Sequence, residues 1–147
     1  MIARLLALLV GLLWAGIVAA AEPAKEQLLA ELRARIAGRE QEPAEVVFKD
    51  IETFRGRTAG QLLAVMDLGF SRSLGVDCAH CHDVQDWAAD ARPQKEIARQ
   101  MSVMAREISA RIKTIEGIES ATPVVNCTTC HRGQKKPAIS LDAPAAP

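Results

Sequence analysis

The sequence predicts a mostly α-helical protein with little or no β-sheet. Two long stretches, residues 58–74 and 94–116, repeat apolar residues at the three- and four-residue spacing of a helix. Each stretch leads towards a Cys-x-x-Cys-His motif, the first at residues 78–82 and the second at residues 127–131. Aromatic side chains usually fill much of a core, but the chain has three Phe, two Trp and no Tyr. The helices are therefore expected to pack on other large apolar groups.

The Cys-x-x-Cys-His motif is the attachment sequence for c-type haem. Each thiol forms a thioether with one vinyl group of the porphyrin, and the histidine ligates iron from the proximal side. The predicted attachment residues and proximal ligands are Cys78, Cys81, His82, Cys127, Cys130 and His131. Because the two motifs use all four cysteines of the chain, we predict two covalently attached haem c groups. The fold class is then a small multihaem c-type cytochrome whose helices pack on both haems.

A zinc site is the main alternative for the cysteines, since two Cys-x-x-Cys pairs can supply four thiolate ligands. Here 45 residues separate the two pairs, and a histidine follows each of them. That separation is far longer than zinc ribbons use, so zinc is disfavoured. A disulfide scaffold or a thioredoxin-like redox site is disfavoured further.

Residues 1–21 have the pattern of a secretory signal peptide, with one basic residue, Arg4, an apolar run over 5–18 and three final alanines. Cleavage is expected before Glu22, which predicts a periplasmic protein. The alternative is an uncleaved anchor that holds the protein at the outer face of the cytoplasmic membrane, since residues 5–21 approach the minimum length of a membrane span. No cysteine lies near the predicted cut, so no lipid anchor is expected.

The charge balance excludes a nucleic-acid binder, which would need a strong basic excess. The chain carries 18 basic and 18 acidic residues. Loss of Arg4 with the signal leaves 17 basic against 18 acidic residues, a net charge of −1. Since each haem adds two propionates, the protein with its haems is expected to be modestly acidic.

Residues 22–43 are predicted to form an N-terminal amphipathic helix that stops at Gly38. Its apolar face comprises Leu28, Leu29, Leu32 and Ile36. Residues 44–137 are predicted to form the dihaem domain, and its first part, residues 44–54, is predicted to be an extended segment laid across a haem or the helices. Residues 138–147 have the Ala/Pro composition of a disordered tail.

The helix over residues 58–74 begins with a capping box formed by Thr58 and Gln61 and ends at Gly75, a left-handed terminator. Its apolar face comprises Leu62, Leu63, Met66, Phe70 and Leu74. This face is expected to supply side chains to whatever residues 78–82 hold.

Residues 83–92 are predicted to form a loop, and Pro93 suits the first turn of the next helix. That helix is predicted over residues 94–116, with a stop at Gly117. Its apolar stripe comprises Ile97, Met101, Met104, Ile108, Ile112 and Ile115.

The number of histidines limits the sixth iron ligands. The chain has three histidines, and His80, inside the first motif, is interpreted as a spacer that the tether keeps from the distal side of its own haem. After loss of Met1, the remaining thioethers are Met66, Met101 and Met104. Thioether ligation fills the coordination site and favours electron transfer over peroxide chemistry. Met101 and Met104 lie about 60° apart on one helix, so helical geometry does not choose between them.

Four segments, residues 70–82, 90–95, 98–108 and 127–133, resemble the cytochrome c subunit family of photosynthetic reaction centres. The resemblance implies that a methionine from the helix before each motif is the sixth ligand. It assigns Met66 to the first haem and Met104 to the second, with Met101 as the alternative to Met104. The photosynthetic subunits carry four haems and often a lipid anchor, so this chain resembles one half of that architecture.

The function predicted from these residues is that of a periplasmic dihaem electron carrier, which passes single electrons between a donor and an acceptor protein. A membrane electron-transfer complex or a reaction centre is a candidate partner. One alternative is a small dihaem peroxidase, although no distal histidine is evident. Another is a haem-bearing structural subunit of a larger complex. A basic cluster beside the second motif either docks an acidic partner or, as we favour, solvates the surface or pairs with propionates; it comprises Arg132, Lys135 and Lys136.

Overall fold

The computed structural model describes residues 24–140. The predicted signal peptide and residues 141–147 of the predicted Ala/Pro tail lie outside this part of the chain. Its elements are α1 (Lys25–Arg35), α2 (Ala44–Val47), α3 (Ala59–Ala64), a π-helical segment (Val65–Ser71), α4 (Arg72–Leu74), a 3₁₀ turn (Cys78–His80), α5 (Pro93–Ile112) and α6 (Cys127–His131). No strand occurs within residues 24–140, which agrees with the mostly α prediction, and an isolated antiparallel bridge joins Pro43 to Thr58.

The apolar core lies where α1 meets α3. Its buried members are Ile36, Ala59 and Leu63, and three partly buried side chains surround them: Leu32, Val47 and Phe48. The predicted apolar face of the N-terminal helix is therefore part of the core. The helix itself is shorter than residues 22–43, because the chain tightens after Arg35 and reverses at Gly38, whose φ is +78°.

The prediction of an extended segment over residues 44–54 is wrong at its start. Residues 44–47 form the single helical turn α2, with Pro43 as its N-cap, and the backbone becomes extended at Phe48. Ala44 is completely buried, and its N–H donates to the Arg57 carbonyl at 2.7 Å. One turn of helix is too short for apolar periodicity to reveal it.

The helical run over residues 58–74 has the predicted ends. The Thr58 hydroxyl accepts from the Gln61 N–H, the Gln61 side chain accepts from the Thr58 N–H, and Gly75 is left-handed with φ +65°. Its middle differs from the prediction, because Val65–Ser71 is π-helical and the Arg72 N–H donates to the carbonyl of Asp67, five residues earlier. Such π segments inside α-helices often occur at functional sites.

Helix α5 begins at Pro93 as predicted but ends at Ile112, before the predicted end at residue 116. The Thr114 hydroxyl donates to the Arg111 carbonyl at 2.9 Å, and this side-chain bond competes with the helical pattern. The chain then turns at Gly117, where φ is +81°. No helix among residues 24–140 is both long and apolar enough to cross a membrane.

The second motif packs directly against the turn that precedes the first. The Gly133 N–H donates to the Ser73 carbonyl at 2.8 Å, and the Ser73 hydroxyl bonds to the Thr128 hydroxyl. Gly75 lies so close to Gly133 that a Cβ there would collide with the Gly133 carbonyl oxygen. The helical run that leads into the first motif therefore also positions the second.

Replacement of Gly75 by Ala is expected to destabilise the protein by more than the strain of a left-handed alanine, about 1–2 kcal/mol, because the new methyl also forces Gly133 away. Gly38→Ala is the matched control. Gly38 also follows a helix with positive φ, but a Cβ there meets nothing within 4 Å. Urea unfolding of the two variants measures the difference, and equal losses of unfolding free energy would contradict the close approach of the two motifs.

Candidate functional site

A cavity of about 430 Å³ joins the first motif to the helical run before it. It lies within the volume range of ligand pockets, roughly 300–1,000 Å³. Both cysteines and the histidine of the motif line it, and the predicted apolar face reaches it through Leu62, Leu63, Met66 and Phe70. The wall is completed on other sides by Leu29, Leu32, Phe48, Ile51, Phe54 and Trp87. The structure therefore brings two thiols, an imidazole and a thioether together in one mainly apolar space.

The first two cysteines lie at the 3₁₀ turn Cys78–His80, which Asp77 caps by accepting from the His80 N–H at 3.2 Å. Both thiols are free and half-buried. Burial raises the pKa of Cys78 and of Cys81. Two free thiols at the wall of an apolar cavity suit covalent attachment of a large apolar group.

His82 presents one ring nitrogen as a ligand. Its Nδ1 lies 3.4 Å from the Trp87 carbonyl oxygen. The centroids of the His82 and Trp87 rings are 5.4 Å apart. A carbonyl oxygen only accepts, so Nδ1 carries the proton and Nε2 keeps a lone pair for a metal. Burial lowers the pKa of His82, although the Trp87 carbonyl opposes this effect. Burial therefore favours the neutral imidazole, which is the form that ligates a metal.

Met66 lies in the π-helical segment, directly before a buried carboxylate. Asp67 is 7% exposed, and its Oδ1 lies 2.6 Å from Lys25 Nζ at the start of α1. The ammonium of Lys25 beside it lowers the pKa of Asp67, and the charge of Arg72 adds to this effect. This ion pair fixes the π-helical segment, and Met66 with it, against α1.

A network of four charged residues, which we call the clasp, closes one side of the cavity. Lys95 Nζ lies 2.6 Å from Asp50 Oδ2 and 2.9 Å from Asp90 Oδ1. Arg99 lies 2.8 Å from Asp50 and 3.0 Å from Asp90. The clasp joins the segment after α2, the loop after the first motif and α5. Lys95 is buried and Arg99 is partly buried, and both cations line the cavity.

The second motif forms α6. Its N-cap is Asn126, which makes a capping box with Thr129. His131 repeats the arrangement of His82, because its Nδ1 lies 2.9 Å from the Gln134 carbonyl oxygen and Nε2 is again the free ligand. Cys127 is half-buried and Cys130 is exposed.

Helix α5 reaches the second motif through the segment before α6. The Ser109 hydroxyl donates to the Val125 carbonyl and accepts from the Val125 N–H, both at 2.9 Å. The buried residues of α5 are Lys95 and Ser102, whereas the predicted apolar stripe is largely exposed. Met101 is 37% and Met104 is 41% exposed, so their surroundings do not distinguish between them.

The structure argues against a zinc site built from the two cysteine pairs. Within residues 24–140, the group that could place three ligand atoms around one metal consists of Asp50, Glu52 and Asp90, with no cysteine among them. Each of the three carboxylates forms an ion pair with Lys95, Arg99 or both.

Sequence reasoning missed the clasp and the role of Trp87. Asp50 contacts Lys95 and Arg99 across 45 and 49 positions, so no local pattern reveals these pairs. Trp87 acts through its backbone carbonyl, which every residue possesses. The sequence did contain one signal for the clasp: Lys95 and Arg99 lie one helical turn apart near the start of α5, and Asp90 lies just before this helix.

The clasp is expected to make the protein sensitive to acid. Hydrogen bonds from Arg99 and then Lys95 lower the pKa of Asp90 from 3.8 to about 2. A lowered pKa means that Asp90 contributes its full stability above pH 3.8 and loses it as the pH falls through about 2. Asp90→Asn should therefore lower the urea midpoint at neutral pH, and the difference from the unchanged protein should vanish in strong acid. Glu119→Gln, an exposed control, should show no difference, and a pH-independent effect of Asp90→Asn would contradict the ion pairs.

Comparison with known proteins identifies the family. Residues 18–143 match the family described as photosynthetic reaction centre cytochrome C subunit. The chain is 31% identical over 83 residues to cytochrome c-554 of Chloroflexus aurantiacus, an alignment that covers 56% of this chain and 20% of that protein. It is 32% identical over 81 residues to the photosynthetic reaction center cytochrome c subunit of Rubrivivax gelatinosus, which covers 46% of this chain and 22% of that protein. The chain thus spans about a fifth of the length of these relatives. It belongs to the photosynthetic reaction centre cytochrome c subunit family.

Proposed function

We propose that this chain is a dihaem c-type cytochrome, exported to the periplasm, that carries single electrons between a donor and an acceptor protein. The observation that carries the proposal is the cavity at the first motif, where the free thiols of Cys78 and Cys81 meet the neutral imidazole of His82 and the thioether of Met66. These four groups suit covalent haem c with histidine and methionine ligation. Haem supplies a reversible one-electron change of its iron, and the protein supplies attachment, ligation and a surrounding of low polarity.

At the first site, Nε2 of His82 and the sulfur of Met66 would be the two protein ligands of the iron. The π-helical segment and the Asp67–Lys25 ion pair hold Met66 in the cavity wall. An occupied sixth position leaves no place for peroxide to bind. This arrangement supports an electron carrier rather than a peroxidase.

The basic residues of the cavity wall divide into two groups. Lys25, Arg39, Lys95 and Arg99 already pair with carboxylates. Arg35 and Lys49 also line the cavity, and neither makes an ion pair within residues 24–140. We therefore assign Arg35 and Lys49 as the cations that would face the haem propionates.

At the second site, Cys127, Cys130 and His131 would hold the second haem. The exposed apolar stripe of α5 would cover its other face, since the Ser109–Val125 hydrogen bonds attach the segment before α6 to this helix. We assign the sixth ligand to Met104, as the resemblance to the family implies, with Met101 one turn away as apolar filling.

The partners of this carrier are proposed to be redox proteins, among them a membrane electron-transfer complex. The relative from Rubrivivax gelatinosus is named as a reaction centre subunit. Because this chain spans about a fifth of that protein, a reaction centre is one candidate among such complexes.

Two covalent haems per chain are the expected result of intact-mass measurement on the exported protein. A variant with Cys127 and Cys130 both changed to Ala should carry one haem, because it removes the second attachment site and leaves the first cavity unchanged. The matched variant lacking Cys78 and Cys81 should keep only the second haem. Bound zinc, or a mass that corresponds to a single haem in the unchanged protein, would refute the dihaem proposal.

The methionine ligands are tested by the sulfur-to-iron charge-transfer band of each oxidised haem. Met66→Ala should abolish the band of the first haem and lower its reduction potential, while the haem remains attached. Met104→Ala should abolish the band of the second haem, and Met101→Leu should preserve it. Loss of the second band in Met101→Leu with retention in Met104→Ala would make Met101 the ligand.

A further inference from the structure

Lys95 binds more groups than an ion pair requires. Its ammonium lies 3.4 Å from the Trp87 carbonyl oxygen, 3.0 Å from that of Ala88 and 3.1 Å from that of Ala89. These three carbonyls belong to the loop that follows the first motif. The side chain is 11% exposed, so Lys95 is a buried cation inside a cage of backbone oxygens and carboxylates.

Burial of an ammonium group is costly unless it is paired and hydrogen-bonded. The Asp50 and Asp90 carboxylates neutralise Lys95, so the three donors of the ammonium are shared between these oxygens and the loop carbonyls. The backbone of Asp50 is left-handed, with φ +60°, a conformation that costs a non-glycine residue energy. The surrounding contacts therefore maintain Asp50 in a strained position that delivers its carboxylate to the clasp.

The caged loop also holds the proximal histidine. The Trp87 carbonyl oxygen that Lys95 contacts also accepts the hydrogen bond from His82 Nδ1–H. Two bonds thus meet on one oxygen, one from the fixed cation on α5 and one from the imidazole. A backbone carbonyl bonded to a ligating histidine sets the ring orientation and the basicity of the ligating nitrogen.

Comparison with Arg99 distinguishes the effect of the charge of Lys95 from the effect of its contacts with the loop. Arg99 lies one helical turn after Lys95 and binds the same two carboxylates, and its side chain is 15% exposed against 11% for Lys95. Its hydrogen bonds go to Asp90, Glu96 and Asp50, and none of them goes to a carbonyl of the loop. Lys95 and Arg99 therefore place the same charge beside the cavity, but Lys95 alone of these two holds the Trp87 carbonyl.

We propose that Lys95 is a positioning residue for the first haem: through the Trp87 carbonyl it orients the imidazole plane of His82. The assignment rests on the proposed haem site and goes beyond it, because Lys95 touches neither the cysteines nor the ligating nitrogen. It gives the start of α5 a specific purpose in the first site, although the rest of that helix serves the second.

The test compares three variants of the protein with both haems attached. Lys95→Met removes the charge and the cage, Lys95→Arg keeps the charge but replaces the compact ammonium with a planar guanidinium, and Arg99→Met removes an equivalent charge while leaving the cage intact. Intact mass first verifies two haems in the unchanged protein, so failure of the haem proposal is seen separately. The readout is the set of paramagnetically shifted haem-methyl proton resonances of the oxidised protein, which follow the orientation of the axial imidazole.

Both Lys95 variants are expected to shift the methyl resonances of the first haem and leave those of the second unchanged, whereas Arg99→Met, whose side chain also lines the cavity, should shift them clearly less. Selective loss of the first haem in Lys95→Met, with both haems kept in Arg99→Met, would support the same conclusion. If Lys95→Met does not fold, comparison of the methyl resonances of Lys95→Arg and Arg99→Met tests the proposal. An unchanged pattern in Lys95→Arg, or equal shifts in Lys95→Met and Arg99→Met, would show that only charge matters and would overturn the proposal.

Discussion

The hydrogen bond from the Gly133 N–H to the Ser73 carbonyl joins the two motifs of this chain. It forms because Gly75 has no side chain to hold α6 away, and because Arg132 and Gly133 both adopt positive φ, +52° and +85°, which turns the chain back after α6. Ser73 is 2% exposed, and its hydroxyl also donates to the Leu68 carbonyl. One helical run therefore lines the first site along its length and contacts the second motif at its end. This run sets the distance between the two motifs.

The parts of the fold that the sequence predicted are those governed by neighbouring residues. The capping box at Thr58, the left-handed Gly75 and the start of α5 at Pro93 each depend on contacts within a few positions, and the structure contains all three. The same is true of the first cavity, since helical spacing alone placed the apolar face of the run on one side and Cys78 follows that run directly. Local chemistry was sufficient for this wall of the cavity, because the helical run and the motif after it form one continuous stretch of chain.

The features that the sequence did not predict depend on distant residues or on backbone atoms. The clasp pairs Asp50 with Lys95 and Arg99 across 45 and 49 positions. The Nδ1–H of His82 donates a hydrogen bond to a backbone carbonyl. The π-helical segment changes the hydrogen-bond pattern of the helix without changing its apolar spacing. Residue type carries no information on either point. The choice between Met101 and Met104 is unresolved by geometry for a related reason, because both side chains share one exposed stripe.

Helix α5 shows how one element serves both sites. Its apolar stripe lies largely exposed, and the residues that attach it to the rest of the chain are polar: Lys95 and Arg99 near its start and Ser109 near its end. Hydrogen bonds and ion pairs are directional, so they fix the helix in one register, whereas apolar contacts alone would tolerate sliding. A helix held in this way can offer its whole apolar stripe to a bound group. The polar attachments therefore fix the start of α5 to the loop after the first motif and its later part to the segment before α6.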